Sequence, residues 1–262
     1  MRHNPLQGLF LTDGSDVGVS CAKAAGMRPV RMLAVVVGPN VMEASATAIA
    51  RQFDPRPPII RTARPDLDQD VMDWMQTGAI DLLLSCFFEY RIRPPLLSAA
   101  RLGGINIHPS VLPHNGGFHT SFWGLVENTP LGATLHWLDE ALDSGAVIAQ
   151  KSFADDGVMT AAEVRARQRS LCVELFEENI DAVLAGRLSR GTGQTGTYHR
   201  RTDILAATTF ADSEMLTLER LMRLGRATNH AAHGLIVRTK NDEKFLLRIS
   251  VSRCPSTPTA HS

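Results

Sequence analysis

Arg31-Met32-Leu33-Ala34-Val35-Val36-Val37 is a near-uniform apolar run stopped by Gly38-Pro39. A strand with one wet face alternates apolar and polar residues. An unbroken run belongs to a strand covered on both faces, as in parallel sheets. Upstream, Gly8-Leu9-Phe10-Leu11-Thr12 has the same character and leads into the turn Asp13-Gly14-Ser15-Asp16. Downstream, Ile80-Asp81-Leu82-Leu83-Leu84-Ser85-Cys86 repeats it, and Ile59-Ile60 marks a short strand behind Pro55, Pro57 and Pro58. Helical patterns fill the gaps: Val17 to Ala25 with Gly26 as C-cap, Glu43 to Gln52, and Asp68 to Thr77 ended by Gly78. Strands alternating with helices predict an α/β fold, a doubly wound and mostly parallel sheet with right-handed crossovers.

Pro94-Pro95 starts a short helix through Ala100, and Gly103-Gly104 leads into the strand Ile105 to His108. Ala133 to Leu138 and Val147 to Phe153 read as two further strands around a turn at Asp143-Ser144-Gly145. Thr160-Ala161-Ala162-Glu163 is a capping box, opening a helix to about Ala185 whose stripe Val164, Leu171, Leu175 and Ile180 covers the sheet. From Ser189 to Gly196 the composition shifts to Gly, Thr, Ser and Gln, which marks a boundary. Residues 1–190 are therefore expected to form a Rossmann-like domain carrying the site. Residues 191–254 are expected to form a small mixed C-terminal module, with a helix over Leu216 to Arg226 and a hairpin of Leu235 to Lys240 with Lys244 to Val251. The polar tail 255–262 is expected to be disordered. Gly191-x-Gly193-x-x-Gly196 follows a helix and opens none, so it reads as a linker rather than a dinucleotide fingerprint.

The chain has 262 residues, with 27 Lys plus Arg against 27 Asp plus Glu, so no broad electropositive face for nucleic acid is expected. The four cysteines, Cys21, Cys86, Cys172 and Cys254, show no metal-ligand spacing; Cys86 in an apolar run and Cys172 in a helical pattern read as buried free thiols, a usage that fits a reducing cytoplasm. The N-terminus lacks the pattern of a signal peptide, and Met32 to Val37 is too short to span a bilayer. The expectation is a soluble cytoplasmic protein without nucleic-acid or membrane partners. His108, His114, His119 and His136 match no common metal pattern, and no GxSxG nucleophile motif occurs.

The chemistry-bearing stretch is Gly104-Ile105-Asn106-Ile107-His108-Pro109-Ser110-Val111-Leu112-Pro113, followed by Asn115-Gly116-Gly117-Phe118-His119-Thr120. Period-two alternation places Asn106 and His108 on one side of a strand, roughly 7 Å apart. On chemistry alone this is either a site or an edge strand with a solvated polar face. Leu138 to Gln150 adds Asp139, Glu140 and Asp143, which by themselves read as an ordinary acidic turn. Together, Asn106-x-His108-Pro-Ser-x-Leu-Pro, Gly-x-His119-Thr and Leu-Asp143-x-Gly-x-Val-Ile-x-Gln closely resemble the folate-dependent formyltransferase family, including the 35 residues from His108 to Asp143. That family comprises glycinamide ribonucleotide, methionyl-tRNA and sugar-nucleotide formyltransferases. The likeness is strong from Leu82 to Gln150 and rests on pattern alone before that.

The resemblance implies N10-formyltetrahydrofolate as formyl donor, an amine as acceptor, and Asn106, His108 and Asp143 as the catalytic trio. Attack of an amine on a formyl carbon makes a tetrahedral oxyanion, which an Asn amide and a protonated His stabilise. One lost donor of that kind costs ~10²–10³ in rate. A neighbouring carboxylate orients the imidazole and relays the amine proton. The resemblance further places the pterin against Phe88, Glu89, Tyr90, Arg91 and Ile92, beyond the end of a core strand, and against Asp139, Glu140 and Leu142. Arg91 and Arg93 are equally readable as surface residues. Ser110, Gly117, His119 and Thr120 are expected near the acceptor, with a loop histidine as the alternative for His119. Tyr198 and Arg200 suit a nucleotide, the ring for a base and Arg200-Arg201 for a diphosphate, unless they form a solvated loop. The short C-terminal module resembles that of the sugar-nucleotide branch, so the expected acceptor is a nucleotide-linked amino sugar and the expected assembly a homodimer. Other amines (glycinamide ribonucleotide, methionyl-tRNA, hydroxyornithine), water in a formyltetrahydrofolate hydrolase, and non-catalytic folate binding are the alternatives.

Overall fold

The computed structural model describes residues 5–229 and 234–253. In chain order it comprises β1 (Leu6–Thr12), α1 (Asp16–Gly26), β2 (Val30–Val37), α2 (Glu43–Ala50), β3 (Ile59–Arg61), α3 (Gln69–Gln76), β4 (Leu82–Cys86), α4 (Pro94–Ala99) and β5 (Gly104–His108). There follow β6 (Gly116–Gly117), α5 (Thr120–Val126), β7 (Leu131–Trp137), β8 (Val147–Phe153) and α6 (Ala161–Leu184). The remainder holds β9 (Tyr198–His199), α7 (Asp203–Ala207), β10 (Thr209–Ala211), α8 (Leu218–Thr228), β11 (Leu235–Arg238) and β12 (Lys244–Leu247).

Seven strands form one sheet in the order β3-β2-β1-β4-β5-β7-β8. The pairs from β3 to β5 are parallel, while β7 and β8 add antiparallel. The apolar runs explain the layers. Phe10, Val35, Val37, Leu82, Leu84, Ile105 and Ile107 pack on one face with residues of α1, α2 and α6. Leu9, Leu11, Ala34, Val36, Ile60 and Leu83 pack on the other with Val71 of α3 and Leu96 of α4. Successive side chains leave opposite faces of a strand, so a strand buried twice must be apolar throughout. The capping box of α6 forms, with Thr160 Oγ1 accepting from the Glu163 N–H and the Glu163 carboxylate accepting from the Thr160 N–H.

Three local readings change. Helix α1 includes Gly26 and is capped by Met27, and the absent side chain at 26 leaves room for the carbonyl of Gln52, with which a Cβ would collide. Helix α2 stops at Ala50 rather than Gln52. The stretch Ser189 to Gly196 has no regular secondary structure but is not slack: the Gln194 N–H bonds to Ser144 O at 2.7 Å. Behind it, β10, β11 and β12 form a second sheet containing the expected antiparallel hairpin β11–β12. Arg226 of α8, only 5% exposed, pairs bidentately with Asp155 beyond β8 at 2.7 and 2.8 Å. Residues 254–262, with Cys254 and the expected tail, lie outside the described residues. Cys21, Cys86 and Cys172 are buried free thiols, and among the described residues no helix is long and apolar enough to cross a membrane.

Candidate active site

β5 lies between β4 and β7, so it is an interior strand and not a solvated edge. Its polar pair sits at the carboxyl end: His108 is buried and Asn106 half-buried. Register with β7 sets Asn106 opposite His136 and His108 opposite Thr134. Ser85 of β4 donates its hydroxyl to Asn106 Oδ1 at 2.7 Å. Asn106 Nδ2 is 3.1 Å from His136 Nε2, and His136 Nδ1 is 2.8 Å from the Trp137 carbonyl. A carbonyl only accepts, so Nδ1 carries the hydrogen. Burial holds His136 down to about 4, against the pull of Asp143, so the ring is neutral at pH 7 and Nε2 accepts from Asn106. The chain of donors fixes the amide orientation of Asn106 and leaves its second N–H for a ligand.

Asp143 reaches the same point from the β7–β8 turn, with a φ of 52°. Its Oδ2 accepts the Gly117 N–H at 2.8 Å, and its Oδ1 lies 3.5 Å from His108 Nδ1 and 3.7 Å from His136 Nε2. His108 Nε2 donates to the Asn115 carbonyl at 3.1 Å. His108 is thus held at one nitrogen by backbone and faces a carboxylate with the other. The loop after β5 is stiffened by polar side chains, of which Ser110 and Thr134 are buried. Thr134 Oγ1 donates to Ser110 O and accepts from the Leu112 N–H, Gln150 Nε2 donates to Leu112 O, and Ser110 Oγ donates to His114 O.

Gly116 and Gly117 pair with Tyr198 and His199 as the parallel strands β6 and β9. Gly117 has a φ of +87°, and a Cβ there would collide with the His199 carbonyl, so only glycine lets the two segments approach. The pairing brings Tyr198 beside Asp143, and burial, then that carboxylate, push its phenol up.

Two cavities meet here. The first, about 470 Å³, contains Asn106, His108, Phe118, Arg165, Arg169 and Arg201 in its lining. The second, about 490 Å³, is lined by Arg91, Pro113, Ser144 and the segment Gln194 to Thr197 among others. Leu142, Asp143 and Tyr198 line both. Of the residues expected at the site, Phe88, Glu89, Tyr90, Gly117, His119 and Thr120 face the first cavity and Arg91 the second. Glu140 touches the second only through Arg91, whose Nη2 donates to the Glu140 carbonyl at 2.7 Å, and Asp139 accepts from the Glu140 N–H. Ile92 is packed in the core beside Leu96, Ser110 is turned into its own loop, and the Arg200 N–H bonds to Asp203. These three line neither cavity.

The sequence reading passed over Asp13, Arg165, Arg169, Ser85 and His136 as site residues, whereas Arg201, read with Arg200 as a match for a diphosphate, does line the first cavity. Asp13 follows β1 at the carboxyl end of a parallel strand, where ligands gather, and that rule would have found it. Its carboxyl is pushed up by burial, although the Ser15 N–H bonds to it at 2.9 Å. Arg165 and Arg169 are one helical turn apart, a visible spacing whose direction was not. Arg201 pairs with Glu89 at 2.9 Å and lies over the Phe118 ring.

Two cavities meeting beside the cluster of Asn106, His108 and Asp143 make this the candidate active site of the fold. Residues 15–180 match the family model for formyl transferases, and the chain belongs to that family. It is 31% identical over 106 residues to dTDP-4-amino-4,6-dideoxyglucose formyltransferase of Mycobacterium tuberculosis, an alignment covering 40% of this chain. The chain thus matches 44% of that curated relative's length. Its fold is similar to that of a 4-N formyltransferase from Francisella tularensis (TM-score 0.77, 20% identity, 96% of this chain and 100% of that one). It is also similar to an N-formyltransferase from Helicobacter canadensis in complex with folinic acid and dTDP-3-aminofucose (TM-score 0.64, 18% identity, 88% and 83%).

Proposed function

We propose that the protein transfers a formyl group from N10-formyltetrahydrofolate to the primary amine of a nucleotide-linked amino sugar. The observation that carries this is the convergence, from two separate chain segments, of Asn106 and His108 in the first cavity with Asp143 on the wall that cavity shares with the second. Each cavity has the size of a small-molecule site. The first suits the acceptor. Arg165, which has no hydrogen bond or ion pair among the described residues, lines it with Arg169 and Arg201, and guanidinium groups match phosphate oxygens. Phe118 and Tyr198 offer ring faces for a base. The second cavity suits the donor, with a largely neutral wall and Arg91 for an anionic tail; of the residues expected at the pterin it keeps Arg91 and Leu142, while Phe88, Glu89 and Tyr90 face the first cavity and go with the acceptor instead. The relatives' names and the folinic acid and dTDP-sugar of the similar complex support both assignments.

When bound, the donor supplies the activated formyl carbon. Asn106, its amide locked by Ser85 and His136, donates its remaining N–H where negative charge develops on the formyl oxygen. His108, held by Asn115 and facing Asp143, lines the same cavity as Asn106. Asp143, 3.5 Å from the His108 ring, takes the proton the amine loses as its nitrogen bonds to the formyl carbon, and passes it to N10 of the donor as the C–N10 bond breaks and tetrahydrofolate leaves. Fixed donors of this kind need no rearrangement as charge develops.

The same reading makes residues 191–254 an accessory module and the protein a cytoplasmic homodimer of one-carbon metabolism. Exposed Phe245, Leu246 and Leu247 on the edge strand β12 support the dimer, because an apolar edge calls for a partner. Tetrahydrofolate release, followed with and without dTDP-linked amino sugars, tests the activity. Release that depends on the amine is expected; equal release without it would assign the chain to hydrolysis instead.

A further inference from the structure

The segment from Gly193 to Thr197 has the composition of a tether and the contacts of a wall. Gln194 N–H donates to Ser144 O at 2.7 Å, Thr197 N–H to Pro113 O at 3.0 Å, and Gly116 N–H to Thr197 O at 2.9 Å. Thr197 Oγ1 accepts from the Asn115 N–H at 2.7 Å. The segment is therefore bonded to both loops of the site, the one after β5 and the one that carries Asp143. A connector whose only task is to span a gap has no use for such anchoring.

What it encloses is the second cavity, lined by Gln194, Thr195, Gly196 and Thr197 opposite Arg91 and Leu142. Within that wall, the side-chain Nε2 of Gln194 is buried and has no hydrogen-bond partner among the described residues. Buried amide donors are almost always satisfied, by protein, water or ligand. Gln194 lines the cavity, and its amide nitrogen, shut off from solvent where it stands, gains a partner when the side chain turns toward an acceptor atom of an occupant. The lining is otherwise short of charge, with Arg91 and Asp143 as its ionisable residues apart from Tyr198, while the arginine cluster faces the other cavity. A flat heterocycle with ring-nitrogen and carbonyl acceptors fits this wall; a diphosphate does not.

We propose that Gln194–Thr197 forms one wall of the formyl-donor site and that the Gln194 side-chain amide donates a hydrogen bond to an acceptor atom of the pteridine ring. This rests on reading the second cavity as the donor's. It gives the segment a ligand-binding task that glycine-rich composition concealed, because most of its contacts are made by backbone and leave little trace in side chains.

The test is calorimetric titration of the full chain with 5-formyltetrahydrofolate, a donor analogue, and separately with dTDP. Gln194→Ala removes the donor, and Gln194→Glu keeps the shape while replacing the amide nitrogen by an acceptor oxygen. Both variants are expected to bind the analogue about tenfold or more weakly, the loss of one hydrogen bond to a desolvated acceptor. Affinity for dTDP is expected to stay within twofold of wild type, and circular dichroism to report an unchanged fold. Analogue affinity within twofold of wild type in both variants would overturn the proposal. So would equal weakening toward dTDP, which would make Gln194 a general prop of the site. Failure of the wild-type protein itself to bind the analogue would instead sink the donor assignment on which the proposal stands.

Discussion

Replacing His136 by Gln, and following both proteins from pH 7 to pH 4, isolates the cost of burying that imidazole. An unfolded histidine titrates near 6.5, whereas burial lowers His136 to about 4. Between those values the unfolded chain takes up a proton that the folded chain does not, so the unfolding free energy must fall as pH falls. Stability from this group is complete above 6.5 and lost by about pH 4. Each pKa unit is worth about 1.4 kcal/mol, so the loss is about 3 kcal/mol. Two neighbours bear on the value: Asp143, 3.7 Å from Nε2, holds the group up, and His108 on the adjacent strand pushes it further down. Urea unfolding followed by tryptophan fluorescence at pH 7, 6, 5 and 4.5 provides the free energies. The variant is expected to be less stable at pH 7, because Trp137 O and Asn106 lose a fitted partner, and to close on wild type by most of 3 kcal/mol at the acid end. Parallel curves across the whole range would refute the neutral, Nδ1–H imidazole, and with it the fixed orientation of Asn106.

His108→Ala and Asp143→Ala are each expected to lower turnover ~10²–10³-fold while the far-ultraviolet spectrum stays unchanged; steady-state rates within tenfold of wild type would remove the residue from the chemistry. Asp155→Ala strands the buried Arg226 guanidinium, whose hydrogen bonds are also the main cause of the lowered Asp155 pKa, and is expected to cost ~3–5 kcal/mol. The double variant Asp155→Ala/Arg226→Met should recover much of that in the same thermal melt, and no recovery would deny the pair. Gly117→Ala forces a side chain onto a φ of +87° and into the His199 carbonyl, so a loss above about 1 kcal/mol is expected together with weaker dTDP binding; an unperturbed melting temperature would count against the β6–β9 contact.

The parallel strands were legible because burial on two faces leaves no choice of residue, as Leu82 to Cys86 and Met32 to Val37 show. Asn106 and His108 could be placed on one side of a strand but not in the interior of a sheet, since strand order follows from pairings between distant segments. For the same reason His136 was unreadable: its partner Asn106 is set by register, and in the sequence it is one polar residue in a buried strand. Asp143 looked like a turn residue because it is one; its left-handed backbone is what aims the carboxylate. The strands β6 and β9 were missed because Gly116-Gly117 has no strand propensity and pairs only where Tyr198 and His199 arrive. The helices α5 and α7 are short, and tertiary contacts rather than periodicity define them.

The shared wall of Leu142, Asp143 and Tyr198 has a kinetic corollary. For the proposed reaction, a separate chamber on each side means that neither small molecule must depart before the other arrives, and no side chain need carry the formyl group between visits. Double-reciprocal plots at several fixed concentrations of the second reactant should therefore intersect instead of running parallel, the signature of a ternary complex in which both reactants are present when the bond is made.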